Sequence, residues 1–311
     1  MRILVVGAGA LGGYFGGCLQ RAGRDVTFLV RSARAGQLAR DGLRISSPHG
    51  DFSVGVRTID SKDIRDRFDL VLLAVKSYSL AEAMNDLGPA IGPASSILPL
   101  INGIAHIEVL SARFGADRIL GGAAFISATL GQDGRIIQLL PLHELAFGNL
   151  ENGLSDRGHA IADVLMGAGF DARPSDIIMQ EMWEKWAGLA TTAGITCLMR
   201  TALGDIVAAP SGPETILQLF DECCAVAGAY GFAPRPPFVA RWRAAFTAPG
   251  STLKASMLRD IENGFQTEGE HVLGDLVRRA RQSGVATPIL DVARTHVAAY
   301  EARRAREAVS P

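Results

Sequence analysis

The chain has 311 residues, of which 48% are hydrophobic and 20% charged, and a formal net charge of −1. That length accommodates two domains, and the balance is that of a globular protein with a large core. An overall electrostatic grip on nucleic acid or on an anionic membrane is excluded, whereas small anionic ligands need only a few local basic residues. No run of about eighteen uncharged apolar residues occurs, so no membrane-spanning helix is expected. Cys18, Cys197, Cys223 and Cys224 have neither zinc nor CxxC spacing, and the adjacent pair 223–224 is ill-placed to bridge. Free thiols in a reducing compartment are expected. The first residues already read as a strand, so no signal peptide is expected and the cytoplasm is the default location. The histidines show no ligand spacing, so no metal site is expected.

Ile3, Leu4, Val5 and Val6 form a short apolar run that ends at Gly7 and leads into Gly7-Ala8-Gly9-Ala10-Leu11-Gly12. A strand followed by GxGxxG and a helix is the dinucleotide-binding pattern. Gly7 permits the tight turn, Gly9 lets backbone approach a pyrophosphate, and Gly12 lets helix and strand pack closely. The helix N-terminus then offers free N–H donors to phosphate. Residues 14–22 continue that helix; Gly16 and Gly17 weaken it but allow close packing on a sheet. Residues 25–31 form the next strand. An NAD site has an acid at its end to accept from the ribose 2′-OH. Here Arg31 stands there, with Arg34 close behind, and a guanidinium fits a 2′-phosphate. This points to NADPH/NADP+. The alternative for Arg31 is a solvated surface charge.

Residues 43–47 and 52–58 read as a hairpin around Pro48-His49-Gly50-Asp51. Residues 69–75 and 96–101 read as buried strands, with Lys76 and Asn102 at their C-terminal edge, where open α/β sheets bind ligands. Pro99 fits an interior strand badly. Residues 121–130, 135–139 and 144–147 are further short strands, and 157–168 a helix. Near Pro174 strand signals stop. Helical periodicity then covers 176–199, 213–230, 236–246, 251–263, 268–283 and 288–307. The expected architecture is α/β: an N-terminal Rossmann-like dinucleotide-binding domain over 1–174 and an all-helical domain over 175–311.

Lys185 lies in the middle of a helix that must pack, with Trp183 and Trp186 expected in the core. Its side chain either snorkels to solvent or serves a site. Asn263-Gly264 signals a helix end, and Thr267-Glu268-Gly269-Glu270 reads as a capping box opening the next helix. The break folds the chain back and lets Ser256 and Glu268 face one pocket. Asp260 and Glu262 are expected to face solvent, and His271 and His296 to be surface or cap residues.

Taken end to end, the chain resembles the ketopantoate reductase family. GAGALG at 7–12, Arg31, VKSY at 75–78, NG at 102–103, EMWEKW at 181–186, SMLRDI at 256–261, TE at 267–268 and GVATP at 284–288 carry the resemblance. It implies NADPH-dependent reduction of ketopantoate to pantoate, on the route to pantothenate and coenzyme A. It implies that the 7–12 loop holds the pyrophosphate and Arg31 the 2′-phosphate. Lys76 would stabilise the adenosine phosphate region, and Asn102 would hold the ribose near the nicotinamide and face the substrate. Lys185 would hydrogen-bond the ketone oxygen and donate its proton, a role that follows from charge developing on that oxygen. Glu268 would contact cofactor and reacting centre and orient the lysine; Ser256 would bond the substrate carboxylate. Family enzymes carry asparagines four and eight residues after the lysine, where this chain has Leu189 and Ala193. Thr192 and Thr196 lie closer to the lysine's azimuth and either replace the amides or bond back to helix carbonyls. A site lacking those two polar groups is expected to discriminate less well for a hydroxylated substrate, which leaves a different small 2-oxo acid as the alternative to ketopantoate. A protein that only senses NADPH would need neither Lys185 nor Glu268. Helical domains of this kind often pair, and a homodimer is carried as an expectation.

Overall fold

A computed structural model describes residues 1–151 and 153–309; the last two positions of the expected helical domain lie outside the described residues. The chain divides into two compact units, Met1–Ile101 with His106–Met179, and Asn102–Ala105 with Gln180–Pro311.

The first unit runs β1 (Arg2–Val6), α1 (Ala10–Arg21), β2 (Asp25–Leu29), α2 (Ser32–Asp41), β3 (Leu43–Ser46), β4 (Phe52–Val54), β5 (Arg57–Ile59), β6 (Leu70–Leu73), α3 (Leu80–Leu87), β7 (Ser96–Pro99), α4 (Ala105–Phe114), β8 (Leu120–Leu130), β9 (Ile136–Asn149), α5 (Asp156–Leu165) and β10 (Asp171–Pro174). Five parallel strands form one sheet in the order β5-β2-β1-β6-β7. Its centre is apolar because β1 and β6 are buried on both faces, with Val5 opposite Phe28 on one side and Leu72 on the other. A second sheet has the order β10-β9-β3-β4, with β8 antiparallel to β9.

Helix α1 lies between the sheets. A Cβ at Gly16 would meet the Phe28 ring at 2.7 Å, and one at Gly17 would meet Ile45 at 2.7 Å. Side chains at either position would push the helix off one sheet or the other, which explains why such weak helix formers occupy its middle.

Three local expectations are corrected. Residues 52–58 do not form one strand. Residues 52–54 pair with β3, whereas 57–59 leave that hairpin and join β2 in the other sheet. The short strands expected over 121–147 are two long ones in register from Leu120 opposite Asn149 to Leu130 opposite Ile136, with a bulge near Ile126. Pro99 is no anomaly: it is the last residue of β7, an edge strand of its sheet. Ser96 and Leu100 donate their amides toward β6, so by alternation the missing N–H of Pro99 faces the outer side.

The second unit is helical: α6 (Ile178–Met199), α7 (Leu203–Val207), α8 (Gly212–Ala229), α9 (Pro236–Phe246), α10 (Ser256–Glu262), a π-helical turn (Glu270–Gly274), α11 (Asp275–Ser283) and α12 (Pro288–Val309). Trp183 and Trp186 are buried, as expected, and Trp183 stacks on Tyr230 and Phe232. The expected break is present: α10 stops at Glu262, Gly264 has a φ of 74°, and the Phe265 amide donates back to the Asp260 carbonyl at 2.8 Å. The capping box is not. Glu270 pairs with Arg294 at 3.1 Å, and the Thr267 amide donates instead to Glu301 at 2.6 Å. A carboxylate from α12 thus does what the local glutamate was expected to do. All four cysteines are free. Among the described residues no helix is long and apolar enough to cross a membrane.

Glu222, buried on α8, accepts the amides of Ile289 at 3.1 Å and Leu290 at 2.9 Å and so caps α12. Replacing it leaves buried donors unsatisfied. We expect Glu222→Ala to destabilise the helical unit by about 2 kcal/mol. Urea unfolding followed by tryptophan fluorescence checks this, since Trp183, Trp186 and Trp242 all lie in that unit.

Candidate functional site

In the first unit the turn from β1 into α1 is built by glycines. Gly7 has a φ of 93°, which side-chain-bearing residues rarely adopt. A Cβ on Gly12 would sit 2.1 Å from the Gly7 carbonyl oxygen, so the helix meets the turn only as glycine. Gly9 differs: a Cβ there would meet no described atom within 4 Å. The fold does not demand that glycine, and it is the N-cap of α1 without a side-chain cap of its own. Backbone open at a helix N-terminus suits an anionic ligand. Gly7, Ala8 and Gly9 line a cavity of about 700 Å³ together with Arg31 and Lys76, so five of the residues expected to hold a dinucleotide lie around one space. Ala10 and Leu11 open α1 beside it, and Gly12 is buried behind them.

Around that cavity the two arginines separate. Arg31 is exposed at the head of α2 and ion-paired with Glu82 of α3. Arg34 is half-buried and holds the loop itself, donating to the Ala8 carbonyl at 3.1 Å and the Gly134 carbonyl at 3.0 Å. Glu82 and Asp60 also line the cavity. They escaped sequence reasoning because nothing local shows that α3 and the end of β5 flank the second strand.

In the second unit Lys185 sits on α6. It is half-buried overall, and burial pushes its pKa down to about 8, against which the Glu268 carboxylate works. Its Nζ donates to Oδ1 of Asn102 at 3.3 Å. Asn102, read from sequence as part of the sheet edge, clusters with the helical unit. The residues flanking Lys185 fix the rotation of α6. Glu184 is buried and clamped by Arg235 at 2.6 and 2.8 Å, which holds its pKa down despite burial. The Trp186 indole donates to the Val272 carbonyl at 2.9 Å and so ties α6 to the π-helical turn that follows Glu268.

Asn102, Ser256 and Glu268 line one pocket with Leu189, Ala193 and Val272. Three of the residues expected to meet substrate, from different stretches of sequence, therefore line one space, and Lys185 reaches it through its bond to Asn102. Of the two alternatives for Thr192 and Thr196, the second is found: their hydroxyls donate back to the Gly188 carbonyl at 2.8 Å and the Thr192 carbonyl at 2.6 Å, while Leu189 and Ala193 line the pocket. One expectation is corrected. Asp260 does not face only solvent but lines the pocket one turn beyond Ser256, a spacing that was visible in SMLRDI. His271 and His296 are half-buried rather than exposed, and burial lowers the pKa of both. Among the described residues no group of three potential ligands could hold a metal ion.

A glycine turn on a nucleotide-sized cavity, and a depressed lysine bonded to an amide that lines a second pocket, fit a dinucleotide-dependent oxidoreductase. Comparison with known proteins agrees. Models described as "Ketopantoate reductase PanE/ApbA" and "Ketopantoate reductase PanE/ApbA C terminal" match residues 3–152 and 177–301. An uncharacterized oxidoreductase, YkpB, of Bacillus subtilis is 37% identical over 98% of this chain and 100% of its own length. The solved 2-dehydropantoate 2-reductase of Geobacter metallireducens superposes with a TM-score of 0.87 at 29% identity, covering 96% of this chain and 99% of that one. A D-mandelate dehydrogenase solved with NADH and anilino(oxo)acetate shares the fold with a TM-score of 0.88 at 24% identity, over 98% and 99% of the two chains. The chain belongs to the ketopantoate reductase family and is an oxidoreductase acting on a CH–OH group.

The glycines make separable predictions. Gly12→Ala forces the helix from the turn and lowers thermal stability. Gly9→Ala is expected to leave the melting temperature unchanged, since its methyl group meets no described atom, and to weaken dinucleotide binding, read by fluorescence titration, where the turn receives a pyrophosphate.

Proposed function

We propose that this protein reduces the ketone of a small 2-oxo acid with NADPH, the family reaction being ketopantoate to pantoate on the route to pantothenate and coenzyme A. The observation that carries the reading is Lys185: an amine with a pKa brought down to about 8, bonded to Asn102 and opposed by Glu268. When bound, the dinucleotide supplies the hydride. The chain's own residues do the rest. The 7–12 turn and its open helix N-terminus receive the pyrophosphate, and Lys76 adds a positive charge beside them. Arg31 receives the 2′-phosphate, for which it must exchange its Glu82 partner. Asn102 fixes the Lys185 ammonium and contributes an amide to ribose or substrate. Ser256 bonds the substrate carboxylate. Lys185 donates to the ketone oxygen as negative charge builds there, and Glu268 keeps the amine protonated against the cost of burial.

Lys185→Ala is expected to lower turnover by roughly 10²–10⁴-fold, the usual contribution of a general acid, with NADPH affinity largely intact. The sign of the pH dependence follows from the amine. It carries its proton below about pH 8, so kcat/KM for reduction falls as pH rises through that value. In Glu268→Gln the opposing charge is gone and the fall begins at lower pH. Near-normal turnover in Lys185→Ala removes the lysine from the mechanism.

Cofactor choice is read separately. Arg31→Ala is expected to weaken NADPH binding about tenfold, on the scale of one charge-assisted contact, while NADH binding stays unchanged. Equal losses for both dinucleotides overturn the assignment of Arg31 to the 2′-phosphate.

A further inference from the structure

We infer that the pocket selects a 2-oxo acid whose side chain is apolar, and that Leu189 and Ala193 enforce that choice. The inference rests on the reading of the site as a 2-oxo acid reductase. On α6, Leu189 and Ala193 lie one and two turns beyond Lys185, about 6 and 12 Å along the axis. Both line the pocket, with Val272 and Met257 completing its apolar part. A 2-oxo acid presents three things: a ketone oxygen, a carboxylate and a side chain. The oxygen goes to the Lys185 ammonium. The carboxylate needs donors, and the pocket offers the Ser256 hydroxyl and the Asn102 amide. The side chain is what remains to meet α6, and there it finds only hydrocarbon.

The hydroxyls nearest the lysine on that helix do not alter this. Thr192 donates to the Gly188 carbonyl, and Thr196 both donates to the Thr192 carbonyl and accepts from the Ala255 amide. Asp260 lines the pocket from α10, one turn beyond Ser256, and not from the α6 wall. A hydroxyl on the substrate's side chain therefore loses its water against Leu189 and Ala193 and gains no partner there.

The two possible site types predict opposite preferences. A site built to bond a substrate hydroxyl rejects the analogue lacking it by about 10⁴–10⁵, whereas an apolar pocket disfavours an added hydroxyl by only about 10². The deciding pair is ketopantoate and 3,3-dimethyl-2-oxopentanoate, the same skeleton with a methyl in place of the hydroxyl. With the full-length protein and NADPH, we expect kcat/KM to favour the methyl compound by about ten- to a hundredfold. Leu189→Asn, and Leu189→Asn with Ala193→Asn, are expected to shrink or invert that ratio, with the circular dichroism of both variants checked against the parent. A parent enzyme that prefers ketopantoate, or treats the two alike, overturns the inference and leaves the reductase reading standing. If neither acid is reduced while NADPH still binds, the reductase reading falls and takes this inference with it.

Discussion

An ammonium withdrawn from water needs partners, and the helical unit is arranged to supply them to one lysine. Burial drives the Lys185 pKa toward neutrality, the Glu268 carboxylate limits the descent, and the Asn102 amide oxygen accepts a hydrogen bond. The surrounding contacts read as means to that end. The clamp of Arg235 on Glu184 and the Trp186 bond to Val272 hold the residues on either side of the lysine, so its side chain has little choice of direction. The helix end at Asn263–Gly264 and the π-helical turn bring Glu268 to the same place. An amine tuned near pH 8 can both hold a proton and release it, which is the property a general acid needs.

Much of this was legible in the sequence where the cause is local. A buried run ending in GAGALG, an Asn-Gly at a helix end, and a tryptophan at helical spacing each act through near neighbours, and each stands where expected. What was not legible depends on distant partners. Nothing in residues 57–59 says that they will leave the adjacent hairpin and add to β2. Thr267 and Glu270 have the spacing of a capping box, yet Glu301, more than thirty residues on, takes the amide and Arg294 takes the glutamate. Thr192 and Thr196 illustrate a different failure. Azimuth on a helix does not say whether a hydroxyl faces a ligand or its own helix, and the carbonyl four residues back is within reach.

The first unit follows the same logic with backbone instead of charge. Gly12, Gly16 and Gly17 let α1 lie against both the turn and two sheets, and Arg34 fastens the turn to the β8–β9 connection through Ala8 and Gly134. The loop that faces the cavity is thus braced from behind, which leaves its amides to one side. Gly9 stands apart from this bracing, because no described neighbour would object to a side chain there.

The four-residue stretch Asn102–Ala105 packs with a unit whose remaining residues begin at Gln180. Chimeras that exchange halves between homologues by a single splice near residue 180 would therefore pair a lysine from one parent with an asparagine from the other. A fragment made from Gln180 onward would carry the lysine with no amide to receive it. In this chain, recombination near residue 180 parts Lys185 from the amide that accepts its hydrogen bond.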